Sequence, residues 1–96
     1  MNTVQDIKIS KIESNSISGS YVNPTGQFNS INIKCFNDKK LYELNNDPNQ
    51  KYFSFSNLLP GNIYSIEFVT IETNSNVSIL FYANTSIYIY NYINKL

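Results

Sequence analysis

Apolar residues in this chain recur at every second position, and almost nowhere at the spacing of a helix. Ile7 and Ile9 alternate with Lys8 and Ser10, and Ile12 follows after a one-residue slip. Ile17, Gly19 and Tyr21 alternate with Ser16, Ser18 and Ser20. Ile31, Ile33 and Cys35 alternate with Ser30, Asn32 and Lys34. Phe53 and Phe55 share a face, and Tyr64, Ile66 and Phe68 alternate with Ser65 and Glu67. This pattern fits strands with one face buried and the other in water. Helix is excluded as the main element.

Turn residues cut the pattern into short pieces. Asn23-Pro24-Thr25-Gly26 reads as a turn, because Pro presets φ and Gly accepts positive φ. Asn37-Asp38-Lys39-Lys40 reads as a loop, Leu41 to Leu44 as a short strand, and Asn45 to Gln50 as a longer loop. Leu58-Leu59-Pro60-Gly61 makes a corner, Glu72 to Asn76 a polar hairpin turn, and Val77 to Ala83 the next strand. About seven short strands at this spacing predict a sandwich or small barrel. At 96 residues the chain holds one domain. Eight Tyr and six Phe, with no Trp, suit a pleated, half-buried surface.

Charge and residue type remove several function classes. Seven basic and seven acidic residues balance to zero, so the basic field of a nucleic-acid binder is missing. With no His and one Cys, imidazole catalysis, cysteine metal clusters and an intrachain disulfide are all excluded. No cofactor or metal is expected. Asp6, Glu13, Asp38, Glu43, Asp47, Glu67 and Glu72 are spread over separate strands and loops, and no pair is placed for acid–base work. The chain therefore reads as non-enzymatic. No apolar run of about 18 residues offers a membrane span. Met1 to Asp6 is polar and not a signal peptide, as in a fragment cut from a longer protein.

The segment Asn57-Leu58-Leu59-Pro60-Gly61-Asn62-Ile63-Tyr64-Ser65-Ile66-Glu67-Phe68 resembles the corner and sixth strand of a fibronectin type III domain. Tyr21 to Cys35 is similar to the second strand, turn and third strand of that family, with Tyr21 where Trp is usual and Gly19 where a larger residue is usual. The resemblance implies a seven-stranded antiparallel Greek-key β-sandwich. It spans residues 7–85, with residues 1–6 as a flanking segment and 86–96 as a strand extension or docking tail. It also implies a structural corner of Leu58, Pro60, Gly61 and Tyr64, and a core including Tyr21, Ile31, Ile33, Cys35, Phe55, Ile66 and Phe68. The function implied is a non-catalytic module for adhesion, spacing or protein docking, within a larger surface or secreted protein.

Three further features bear on function. Asn76-Val77-Ser78 and Asn84-Thr85-Ser86 match the N-glycosylation pattern. Ile87, Tyr88, Ile89 and Tyr90 form a strand-like run that is apolar on both faces. It is a candidate docking strand for a protein partner, a neighbouring domain or a second copy. Asn23-Pro24-Thr25-Gly26-Gln27-Phe28 is similar to a loop of chagasin-type cysteine-protease inhibitors, which makes a small loop-presenting inhibitor the second expectation. An ancillary carbohydrate-binding domain, from the surplus Tyr, is the third.

Overall fold

In the computed structural model, residues 3–72 are described in full and residues 76–84 as backbone. Seven strands follow one another: β1 (Gln5–Glu13), β2 (Ser16–Val22), β3 (Ser30–Phe36), β4 (Leu41–Asn46), β5 (Tyr52–Phe55), β6 (Ile63–Ile71) and β7 (Asn76–Asn84). They form two antiparallel sheets, one ordered β1-β2-β5 and the other β4-β3-β6-β7. The chain changes sheet after β2, after β4 and after β5. That connectivity is a Greek-key sandwich.

Alternation sets what lies between the sheets. Ile17 and Tyr21 of β2 and Phe53 and Phe55 of β5 enter from one side. Ile31, Ile33 and Cys35 of β3 and Tyr64, Ile66 and Phe68 of β6 enter from the other. The register pairs Ile33 with Phe68 and Cys35 with Ile66, so these rows are apolar on the inner face, while Ile31 stands opposite the buried Thr70. Phe68 is the meeting point. Its ring takes edge-on contacts from Tyr21 at 5.6 Å and from Phe53 at 5.4 Å between centroids.

Gly19 is where the backbone itself enters this packing. It pairs with Phe53 across β2 and β5. A Cβ there would meet the Lys8 carbonyl and stand 2.6 Å from Phe53 Cζ. The missing side chain is thus the room that the Phe53 ring occupies, an aromatic covering a strand glycine.

Two boundaries differ from the sequence reading. Residues 1–6 are not all flanking sequence: β1 begins at Gln5, and Val4 is buried in the core. Alternation hides this because Asp6 takes φ 50° and the β1–β2 register shifts between Gln5 and Lys8. Likewise β4 continues through Asn45 and Asn46, which the polar run had placed in a loop. Both asparagines hydrogen-bond in the sheet, so polarity marks satisfaction here and not a turn.

Replacing Gly19 by Ala should destabilise the domain by about 1–3 kcal/mol, the usual cost of forcing atoms into a filled core. Urea unfolding of the two proteins checks this, with a lowered midpoint expected at unchanged slope.

Candidate functional site

The corner between β5 and β6 is built by two left-handed residues. Asn57 has φ 61° and Gly61 φ 79°, and together they fold the chain back towards β6. Leu58 drops into the core between them, its N–H held by the Asn15 carbonyl at 2.8 Å. Pro60 stays exposed. Tyr64 is fully buried, and its hydroxyl accepts the Leu59 N–H at 2.9 Å. Tyr42 closes the same corner by donating to the Asn57 carbonyl at 2.8 Å, its ring edge-on to Tyr64. Leu58, Pro60, Gly61 and Tyr64 thus sit together in one structural unit.

A second polar unit holds the opposite end. Asn46 donates through Nδ2 to the Tyr21 hydroxyl at 2.9 Å and to the Tyr52 carbonyl at 2.8 Å. Tyr21 in turn donates to the Gln50 carbonyl at 2.9 Å. Burial pushes the Tyr21 hydroxyl above its ordinary value, opposed by the Asn46 hydrogen bond and reinforced by the charge of Asp47. Asn23 Nδ2 reaches the Pro48 carbonyl at 2.7 Å. Sequence reasoning missed Asn46. The signal available was a Tyr in a Trp-like core position, whose hydroxyl needs a partner.

In the Asn23–Phe28 loop, Pro24 is buried and Phe28 is half-buried against the core. Gly26 lies at φ 87°. The loop is anchored at both ends, and only Thr25, Gly26 and Gln27 are exposed. Among the described tyrosines Tyr52 alone is exposed, at 77%, so the described surface offers one ring to a sugar and not a platform of several.

Cys35 is buried, and burial pushes its thiol up to about 12 from 9.0. A protonated, enclosed thiol is a poor nucleophile. Among the described residues no three His, Cys, Asp or Glu side chains gather as a metal site. No helix among them is long and apolar enough to cross a membrane.

The outer face of the four-stranded sheet differs from the rest of the surface. Lys34 stands in register between Glu43 and Glu67. Beside this row, Lys34, Phe36, Lys39, Lys40, Leu41 and Glu67 line an open hollow of about 450 Å³. Lys40, at the edge of this hollow, lies 5.2 Å over the ring of Tyr42, which belongs to the inner-face row with Cys35. The outer face of the other sheet is lined by hydroxyls, with Ser18 and Ser54 paired at 2.9 Å. Ile87, Tyr88, Ile89 and Tyr90 lie outside the described residues. Asn76 and Asn84 are the two ends of β7.

These observations define an antiparallel Greek-key sandwich with a tyrosine-closed corner. Its structural neighbours give the architecture a family name. The chain matches a two-domain fibronectin type III segment of chicken tenascin with a TM-score of 0.78 and 17% identity, over 88% of this chain and 50% of that one. It matches a fibronectin type III domain of human collagen XX with a TM-score of 0.72 and 14% identity, over 86% and 92% of the two chains. A β-sandwich protein redesigned by computation matches with a TM-score of 0.70 and 16% identity, over 85% and 94%. The fold is fibronectin type III-like. No family model and no curated protein sequence matches the chain.

Two measurements test the local chemistry. Tyr64→Phe leaves the Leu59 N–H without its acceptor and should cost about 1–3 kcal/mol in urea unfolding, despite the unchanged ring. For Cys35, the thiol is protonated in both folded and unfolded chains below its ordinary value near 9.0, so it has no effect on stability there. Above that pH the unfolded thiol ionises and the folded one does not until about 12. Stability should therefore fall across this window, and Cys35→Ala should show a shallower fall than the native chain.

Proposed function

We propose that this chain is a non-catalytic, fibronectin type III-like module of a longer surface or secreted protein, serving adhesion, spacing or docking to protein neighbours. The observation that carries the reading is where the chemically capable side chains are spent. Tyr21, Tyr64 and Asn46 are engaged in structural hydrogen bonds, and Cys35 is enclosed in the core. What remains for function is shape and surface: two sheet faces of different character and the loops at either end. The tenascin neighbour supports a place among other domains, since its segment carries two such units in one chain.

The domain itself is taken to span residues 7–85 together with Val4 to Asp6, which pair and pack with it. Asn76 and Asn84 would carry N-linked glycans if the parent protein passes through a eukaryotic secretory route. Fold alone does not fix the role, so the reading stands on the site chemistry as well.

Surface biotinylation of the source cells, followed by mass spectrometry, tests the proposal. Peptides of this domain should appear in a labelled protein much longer than 96 residues, with glycan mass on the peptides holding Asn76 or Asn84. Recovery only as a free, unlabelled chain of this size would overturn it. The chain should also leave papain-like proteases uninhibited. Inhibition abolished by substituting Thr25 and Gly26 would install the inhibitor reading instead.

A further inference from the structure

The turn between β3 and β4 decides which backbone groups of β4 are left over. Asn37 N–H donates to the Lys40 carbonyl at 3.0 Å, so the hairpin closes on a hydrogen-bonded pair. Hydrogen-bonded and open pairs alternate along an antiparallel ladder. The register then makes Cys35 with Tyr42, Ile33 with Leu44 and Ile31 with Asn46 the hydrogen-bonded pairs. Leu41, Glu43 and Asn45 therefore point their N–H and C=O groups away from β3. β4 is the last strand on that side, so the sheet gives them no partner. The strand holds no Pro, Lys or bulge, the devices that close an edge to other chains.

Both faces of this edge have a definite character. Towards the core stand Tyr42 and Leu44, half-buried and packed against it. On the outer face stand Glu43 and Asn45, both exposed. Asn32, itself buried, donates through Nδ2 to Glu43 Oε2 at 2.8 Å and to Asn45 Oδ1 at 2.9 Å. One amide thus holds both outer side chains in place. It leaves Glu43 Oε1 as an acceptor and Asn45 Nδ2 as a donor, neither with a partner among the described residues. Lys34 faces Glu43 across the ladder but forms no ion pair with it. An acceptor and a donor two positions apart on one edge can be met by the same edge turned round.

We propose that β4 pairs antiparallel with β4 of a second copy, about a two-fold axis at Leu44. Symmetry allows the axis at Tyr42, Glu43 or Leu44. Centred on Glu43, the pair sets two carboxylates opposite each other, which is unfavourable. Centred on Tyr42, Glu43 meets Leu41 and its acceptor gains nothing. Centred on Leu44, Glu43 stands opposite Asn45 of the second copy, and Asn45 opposite its Glu43. Each of these pairs exchanges both backbone N–H···O bonds. Each also sets Oε1 against Nδ2 on the outer face. On the core side Leu44 meets Leu44, an apolar pair at the centre. The contact is isologous, so it closes as a dimer and the two copies' sheets run on as one. The inference deepens the docking role proposed above by naming the partner, and it concerns the chain alone.

Sedimentation and amide exchange of the full chain test this. The paired stretch is short beside the roughly 20–30 residues a side of a stable interface, so the dimer should form only at high micromolar concentration. As it forms, exchange at Glu43 and Asn45 should slow severalfold, while Tyr42 and Leu44 stay slow at every dilution. Asn45→Asp keeps the acceptor that Asn32 uses, but removes the donor and sets carboxylates opposite each other at both pairs. It should weaken the dimer about tenfold. Adding Glu43→Lys should restore it, because unlike charges then stand opposite. The amide spectrum reports that each variant is folded. A chain that stays monomeric at millimolar concentration would leave the edge to a different protein and overturn the proposal. A dimer that Asn45→Asp does not weaken, or protection confined to other strands, would assign the contact to another surface and overturn it too. Either result leaves surface biotinylation to decide the parent-protein reading.

Discussion

The two sheets meet on Phe68. Tyr21 and Phe53, neighbours on β2 and β5, hold its ring edge-on from the opposite sheet. Edge-on packing needs its rings at defined angles, so it fixes how the sheets lie over one another more tightly than aliphatic contact would. Gly19 belongs to the same arrangement. Where a larger side chain would stand on β2, this chain has none, and Phe53 fills the gap from the strand beside it. The smaller Tyr in place of Trp and the absent side chain at Gly19 are thus two halves of one solution.

Placing Tyr21 there has a polar consequence that travels along the chain. A buried phenol needs a partner, and leaving it unmet costs about 1–3 kcal/mol. Asn46 supplies one hydrogen bond and the Gln50 carbonyl another. Asn46 must then be held inside, which extends β4 past its last apolar residue. The turn at Asp47 to Gln50 must present its carbonyl inward, and Asp47 and Gln50 hold one another to do so, with Gln50 N–H on the Asp47 carbonyl at 3.0 Å. One core substitution relative to the usual pattern therefore shapes a strand end and a loop.

This explains what could be read from the sequence and what could not. The alternation at Ile17, Ile31, Ile33, Ile66 and Phe68 is a local property of each strand and needs no knowledge of its neighbours. The Leu58 to Tyr64 corner was legible because its turn and its closure lie within a few residues. Asn46 was not, because its partners Tyr21 and Tyr52 lie on other strands and its own neighbours are loop-like. Val4 was hidden for another reason: a left-handed Asp6 breaks the period that would have joined it to Ile7 and Ile9. That Asn57 is left-handed was likewise invisible, since Asn in a corner is compatible with many turns.

The edges show how function and fold divide the surface. A bare strand edge recruits other chains unless it is short, bulged or covered. β1 carries two register shifts, and β5 has only four residues, so both edges of the three-stranded sheet are blunted. The four-stranded sheet is different. β4 and β7 pair with their neighbours without a shift, over six and nine residues. The regular edges thus belong to the sheet whose outer face carries Phe36, Leu41 and Ile63. Irregular pairing and a short strand protect the three-stranded sheet. The four-stranded sheet keeps regular pairing out to β4 and β7, which makes it the sheet better suited to strand addition by a partner.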